Sequence, residues 1–315
     1  MTSVTAFAPA TVSNVACGFD VLGFALDEPG DQVTATFTET GGVTIAGIEG
    51  DGGRLPREAA KNTASVAALA LLTRVGESRG VALTITKGLP LSSGLGGSAA
   101  SAAAAVVAVN ALVGANLTND QLIQCALEGE RLGAGSSHAD NIAPCICGGF
   151  VLVRSVNPVD VVTLPVPQGL TAVVIHPDLE IETAKARALL GDTVPLHDAV
   201  KQWANLGAFV HAVHTGDFEL LSRSLEDTIA EPRRAPLLPG LALIKRAAAD
   251  AGALGSSLSG SGPSLFALCR GDETAARVAA AMTAAVKTHI GGHDPEVYIS
   301  RISGRGARVL SSCAS

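Results

Sequence analysis

Aromatic residues are scarce: one Trp, one Tyr and eight Phe make up 3% of the 315 residues. A core of ordinary size must then be built from Ala, Val, Leu and Ile, which the 47% hydrophobic content supplies. Charged residues are also sparse, at 16% with a net charge of −7, and no block of like charge occurs. That excludes nucleic acid as a main partner, because phosphate backbones are held by clustered Lys and Arg. A single nucleotide needs only a small local cluster and stays open. The six cysteines lack zinc-type spacing. Cys145 and Cys147, two apart, would share one face of a strand, and buried reduced thiols are the expected state. The first residues carry no basic stretch followed by an apolar core, so no signal peptide is expected. The longest apolar run, 99–113, contains Ser101 and Asn110 and is too short for a membrane span. A cytoplasmic chain of one large or two ordinary domains, with no membrane partner, is the expectation.

What the chain does have is one unusual loop. Residues 81–87 alternate apolar and polar, with Val81, Leu83 and Ile85 against Ala82, Thr84 and Thr86, as a half-buried strand does. Then follow Pro90, Leu91, Ser92, Ser93, Gly94, Leu95, Gly96, Gly97, Ser98, Ala99 and Ala100, and an Ala-rich run that reads as a buried helix. Strand, Gly/Ser loop and helix bring several backbone N–H groups and the positive end of a helix dipole to one point, which suits a phosphate. No Gly-Lys-Ser/Thr closes it, so it is not a P-loop, and it does not fit G-x-G-x-x-G with a following acidic residue. On loop composition alone, an ordinary strand-to-helix turn is an equal reading.

Around this loop the pattern predicts strands and turns over 1–50, a helix over 62–76 capped by Asn62, and a helix from a capping box at Thr118 and Gln121 to about 132. A small-residue loop at 133–137, strands at 150–153 and 161–164, and a Pro/Gly-marked boundary at 165–169 come next. The second half reads as a strand at 171–176, helices at 182–190, 197–214, 218–229 and 241–251, a Gly/Ser loop at 255–264, a strand at 265–269, a helix at 272–289 and a strand at 297–302. This is an α+β layout rather than strict alternation. His211 and His214, three apart on one helical face with Trp203 two turns before, read as surface or packing residues rather than a metal pair.

Asn14 and Asp20 are polar residues within an apolar stretch; they either close a turn or form a pocket for an amino or hydroxyl group. Here a resemblance enters. Residues 14–23, 90–100 and 258–264, in this order, resemble the three motifs of the GHMP kinases, the family of galactokinase, homoserine kinase, mevalonate kinase and phosphomevalonate kinase. Segments 9–23, 138–149, 183–187 and 231–240 are similar to its homoserine kinase branch, and the likeness runs from about Val4 to Leu310. It implies a two-domain α+β GHMP kinase fold: an N-terminal ribosomal-protein-S5-like domain over 1–167 and a C-terminal ferredoxin-like α/β plait over 168–315.

The resemblance further implies ATP and Mg²⁺. The 90–100 loop would wrap the phosphates, and Ser98 with Glu130 would hold the metal, whereas Glu128, on another helix face, would be solvated. The family usually has serine where this chain has Gly97, and glycine where it has Ser92. Lys87 either approaches the nucleotide or is a solvated strand-end lysine. Asn62 and Thr183 would contact the nucleotide. L-Homoserine would place its carboxylate on Arg187 and on Arg234, which alignment favours over Arg233. Its ammonium and hydroxyl would meet Asn14, Asp20, His138 and Asp140. Asn141 would support the loop or touch the transferred phosphate. Gly260 and its neighbours would pack on the phosphate loop and Asp20. A homodimer is implied as well, and no side-chain general base is apparent.

Overall fold

A computed structural model describes residues 2–134 and 139–313; the expected substrate ligand His138 and residues 135–137 of the loop expected at 133–137 lie outside them, and residues 133–134 end a helix instead. The chain runs β1 (Ser3–Ser13), β2 (Leu22–Thr38), β3 (Val43–Glu49), α1 (Thr63–Val75), β4 (Gly80–Thr86), α2 (Gly97–Val113), α3 (Asn119–Ala134), α4 (Ala139–Cys147), β5 (Phe150–Val156) and β6 (Val159–Leu164). It continues through β7 (Leu170–His176), α5 (Thr183–Ala188), α6 (Leu196–Thr215), α7 (Phe218–Ser224), α8 (Ala230–Arg234), α9 (Leu241–Asp250), β8 (Gly255–Leu258), β9 (Leu265–Arg270), α10 (Asp272–His289), β10 (Glu296–Arg301) and β11 (Arg308–Cys313).

Two sheets result. The first has the order β11-β1-β2-β4-β3, with β5 and β6 continuing from the start of β2; the second is antiparallel, β10-β7-β9-β8. Strands β1–β6 belong to the first sheet and β7–β10 to the second. The end of the chain departs from that division: β11 crosses back and pairs antiparallel with β1, Ser3 opposite Cys313. Its residues are mostly exposed and carry no alternation to betray a strand.

Helix α2 is the spine of the first half. Alanine is the best helix former and its methyl lets neighbours approach closely. α2 therefore packs against β1, β2, α1 and α3 at once and is buried almost throughout. Gly114, left-handed at φ 69°, ends it. Asn62 caps α1 by accepting from the Ala64 N–H, and the Thr118–Gln121 capping box opens α3.

Three sequence expectations need correction. Cys145 and Cys147 sit on helix α4, not a strand, and so do not share a strand face. The helix expected over 218–229 stops at Ser224, because the Asp227 carboxylate accepts from the N–H groups of Ile229, Ala230 and Glu231 and opens α8 instead. The first four residues of the loop expected at 255–264 form strand β8.

Four of the eight phenylalanines join the two halves. Phe24 on β2 meets Phe150 at 5.3 Å and Phe266 on β9 at 5.9 Å, centroid to centroid, and Phe150 meets Phe209 on α6 at 5.2 Å. All contacts are edge-to-face, the arrangement ring quadrupoles favour.

Candidate active site

A cleft of about 520 Å³ opens between the two halves. One wall is the loop from β4 to α2. Three residues of it are left-handed: Ser92 at φ 56°, Gly94 at 78° and Gly96 at 69°. A Cβ on Gly94 would stand 2.5 Å from the Ser259 carbonyl oxygen and 2.8 Å from that of Gly262. Only glycine allows the two Gly/Ser loops to interlock there. Ser259 Oγ donates to the Gly94 carbonyl at 2.6 Å, and the Ser264 N–H donates to that of Ser93 at 3.2 Å. A Cβ on Gly96 would lie 2.2 Å from Thr11 Oγ1. Gly97 has room for a Cβ, its nearest neighbour being Lys87 Nζ at 3.6 Å, so packing does not force the glycine at this position.

No side chain caps the start of α2, which leaves amide donors of its first turn to the cleft. Pro90, Leu91, Ser92, Ser93, Gly94, Gly96, Gly97 and Ser98 all line it. Leu95, Ala99 and Ala100, expected with them, do not. Their side chains lie in the core, the Leu95 N–H donates to Ser93 Oγ, and the Ala100 N–H closes the first helical turn onto the Gly96 carbonyl.

Ser98 and Glu130 meet at the inner corner. The Ser98 hydroxyl faces the Glu130 carboxylate, whose Oε1 is buried and has no hydrogen-bond partner. Burial raises the Glu130 pKa, opposed by the Ser98 hydroxyl and the charge of Lys87. Glu128 instead faces outward and pairs with Arg131 at 2.7 Å. Lys87 is not solvated. It lines the cleft from behind the loop, ion-paired with the fully buried Asp31, and donates to the Gly97 carbonyl at 2.8 Å and Ser101 Oγ at 2.9 Å. Ser101 in turn donates to Asp31 at 2.7 Å, and the Gly88 N–H to its other oxygen at 3.0 Å. This cluster fastens the first turn of α2 to β2 and β4. Sequence inspection missed Asp31 and Ser101, since a lone Asp in a strand and a Ser in an Ala run look like surface positions.

The opposite corner holds the other expected residues. After β1 the chain makes a left-handed turn, with Asn14, Val15 and Ala16 at φ 70°, 44° and 58° and the Gly18 N–H bonded to the Asn14 carbonyl at 2.8 Å. Such backbone is costly for a β-branched Val and is held here by burial and bonding. Asn14 Oδ1 accepts from the Asp20 N–H, and its Nδ2 donates to the Gly260 carbonyl at 3.0 Å. The Gly260 segment thus packs on the phosphate loop and on Asn14, with Asp20 one bond further out. Arg187 pairs with Asp20 at 2.6 Å. Arg234 is 4% exposed, donates through Nη1 to the Gly260 carbonyl at 2.9 Å, and keeps a buried Nε with no partner. Arg233 turns away and bonds the carbonyls of Leu190 and Thr193. Both cleft arginines stand over the Phe19 ring, at 5.2 and 5.3 Å.

Asp140, at the start of α4, is 3% exposed, and its Oδ1 has no partner. Burial, with the nearby charge of Asp20, pushes its pKa up to about 7. The adjacent Asn141 accepts from Thr11 Oγ1 at 2.8 Å and donates to Ser13 Oγ at 3.1 Å. Thr11 and Ser13, two apart on β1, share one face; only that spacing, next to a motif, hinted at them.

At the mouth, Asn62 and Thr183 line the cleft, Thr183 Oγ1 lying 3.3 Å from Ser261 Oγ. Arg54 and Glu180 bridge the two halves by a two-pronged pair at 2.7 and 3.0 Å. His211 and His214 are exposed on α6 and do not line this cleft, and among the described residues no cluster of three metal-type ligands occurs.

Comparison with known proteins agrees with this geometry. The GHMP kinases N terminal domain family matches residues 62–149 and the GHMP kinases C terminal family residues 209–288. Homoserine kinase of Chlorobium phaeobacteroides is 48% identical over 98% of this chain and 100% of its own, and that of Xanthomonas campestris is 43% identical over 97% and 94%. The crystal structure of homoserine kinase from Cytophaga hutchinsonii superposes with a TM-score of 0.94 at 48% identity, covering 98% of each chain. L. major mevalonate kinase, at 19% identity and a TM-score of 0.70, shares the fold. With both halves matched and the likeness running end to end, the chain belongs to the homoserine kinases of the GHMP kinase family.

Proposed function

We propose that this protein transfers the γ-phosphoryl group of ATP to the side-chain hydroxyl of L-homoserine, giving O-phospho-L-homoserine. The observation that carries the reading is the set of buried polar atoms without partners among the described residues: Glu130 Oε1, Asp140 Oδ1 and Arg234 Nε. All three belong to residues that line this cleft. Buried polar groups are normally satisfied, and leaving one bare costs roughly 1–3 kcal/mol. Two acceptors and one donor around a phosphate loop complement a cation, an ammonium and a carboxylate.

Ser98 and Glu130 fit Mg²⁺, a hard cation that takes few protein oxygens and keeps phosphates and waters as its other ligands. When bound, it would neutralise charge on the transferring phosphoryl group. The loop and the start of α2 would hold the phosphates, and Asn62 and Thr183 would flank the nucleotide. Arg187 and Arg234 would take the substrate carboxylate, and Asp20, Asp140 and Asn14 its ammonium and hydroxyl. Binding then requires Arg187 and Asp20 to exchange each other for the two ends of a zwitterion. Phosphoryl transfer asks mainly for positioning and charge neutralisation. Asp20 and Asp140 serve as ligands, with the hydroxyl proton leaving to the phosphate and no side chain acting as strong base. We take the enzyme to be a cytoplasmic homodimer, as its family resemblance implies.

A coupled ADP-release assay over a panel of small alcohols tests the reading. Turnover with L-homoserine, at a kcat/KM at least about a hundredfold above mevalonate and shikimate, is expected. A different preferred alcohol would reassign the substrate, and ATP binding without ADP release would make the protein a sensor.

A further inference from the structure

We propose that Gln202, on α6 and outside the cleft, is a positioning residue for the acceptor: its side-chain amide ties the turn that carries Asn14 and Asp20 to the segment that carries Arg234, and so sets the gap between the two ends of the amino-acid site. This rests on reading the cleft as that of a homoserine kinase.

The two segments come from opposite ends of the chain. One is the left-handed turn at Asn14, Val15 and Ala16, a backbone that L-residues adopt at a cost and that its surroundings must hold. Gln202 Nε2 donates to the Ala16 carbonyl at 3.3 Å. The other is the approach to α8, where Gln202 Oε1 accepts from the Thr228 N–H at 2.9 Å. A backbone N–H only donates and a carbonyl only accepts, so the amide can face one way alone. Turned over, it would set its NH2 against the Thr228 N–H and its oxygen against the Ala16 carbonyl. Gln202 is 7% exposed and does not line the cleft, and Val15 and Ala16 are buried, so the bond to the turn is made away from solvent.

The same two segments meet again at the Gly260 carbonyl, which accepts from Asn14 Nδ2 at 3.0 Å and from Arg234 Nη1 at 2.9 Å. A closed ring results: Gln202, the 14–16 turn, the Gly260 carbonyl, Arg234, α8, Thr228 and back. Asp227 stiffens the α8 side by accepting from the Ile229, Ala230 and Glu231 N–H groups. Asn205, nearly one turn further along α6, donates to the Glu226 carbonyl at 3.3 Å but reaches only this segment. Gln202 is the α6 side chain that bonds both. Without it, Gly260 alone would hold Arg234, the carboxylate partner, at its distance from Asp20 and Asn14. The phosphate loop is fastened separately, by Ser259 and by the Lys87–Asp31 pair. Loss of Gln202 therefore weakens the acceptor and spares ATP.

The test uses two variants in steady-state kinetics, varying homoserine and ATP separately. Gln202→Leu fills similar space and makes neither bond. Its KM for homoserine should rise about tenfold, with the KM for ATP within about twofold of wild type. A residue that only filled space would leave both unchanged. Gln202→Glu adds a readout in pH. A protonated carboxyl donates and accepts as the amide does, whereas a carboxylate only accepts and opposes the Ala16 carbonyl. The ionisable groups of the packed elements favour the protonated form. Asp198 on α6 and Asp227 before α8 are acidic, Lys201 is spent on Glu226, Asp20 pairs with Arg187, and burial pushes the Cys17 thiol up to about 12. The homoserine KM of Gln202→Glu, relative to wild type at the same pH, should stay within about twofold at pH 6 and reach about tenfold at pH 8.5. A wild-type homoserine KM in Gln202→Leu, an equal rise in the KM for ATP, or a Gln202→Glu ratio that is the same at both pH values would each overturn the proposal. Should one variant fail to fold, the other decides alone. Wild-type turnover of homoserine is measured first: without it the functional reading fails and this one with it, and with it, two variants that match wild type sink this inference only.

Discussion

Asp140 shows what a functional residue costs its fold. Its pKa is raised from 3.8 to about 7 by burial and by Asp20. A carboxylate whose folded pKa lies above its unfolded value stabilises nothing once ionised. Its contribution is fully favourable below the unfolded pKa and is lost as pH rises from about 4 to about 7. Asp140→Asn keeps the shape of the side chain but cannot ionise. It should therefore melt higher than wild type at pH 8, by a few degrees, with the difference vanishing at pH 3.5; differential scanning calorimetry at both pH values checks this. Homoserine affinity should fall at the same time. A variant that melts lower than wild type at pH 8 would show the carboxylate to be structurally required. Ser98 and Glu130 pose the matching question for turnover. Ser98→Ala and Glu130→Gln should each lower kcat by about 10²–10³ with the fold intact, the scale of losing one charge-stabilising group. Their combined loss should fall well short of the product, because the two act on one cation. Additive losses in the double variant would separate their roles. Glu130 was legible only because the family motif singles it out; a lone helical Glu is otherwise a surface residue.

At the scale of elements, the phosphate loop is defined by what touches it. Strand 81–87, the loop and the buried helix were all readable from alternation, glycine and the alanine run. The interlock with the second Gly/Ser loop was not, because the two are separated by more than 150 residues and only the closed structure brings Ser259 onto Gly94. Gly94→Ala must both adopt φ 78° and drive a methyl into two carbonyl oxygens. We expect it to destabilise the protein by roughly 2–4 kcal/mol in urea denaturation and to raise the KM for ATP about tenfold or more. Gly97→Ala, where a Cβ has room, should cost less than about 1 kcal/mol and serves as the matched comparison. Equal losses in the two would mean that glycine's flexibility, rather than the close approach, is what matters. The break between α7 and α8 has the same lesson: Asp227 caps the later helix through contacts that periodicity does not encode.

For the whole molecule, the cleft lies between two halves, and Phe24, Phe150, Phe209 and Phe266 join them. In a chain this poor in aromatics, no small side chain could fill that volume from neighbouring positions. Phe24→Ala should cost roughly 3–5 kcal/mol and loosen the halves against each other, so that ATP and homoserine KM rise together while kcat falls less. Urea titration and two-substrate kinetics measure both. A loss under about 1 kcal/mol with unchanged KM values would place the joint elsewhere.

The sequence by itself determined the α+β class, most helices and strands, the phosphate loop and the family. These rest on local periodicity, glycine placement and ordered motifs, which are properties of contiguous residues. Only the tertiary structure decided the fate of Lys87, buried on Asp31 rather than solvated, the exclusion of Leu95, Ala99 and Ala100 from the cleft, the return of β11 to the first sheet, and the Thr11–Asn141–Ser13 chain. Each of these depends on which distant side chain arrives to bury or satisfy a polar atom, and that partner is chosen by packing, not by sequence spacing.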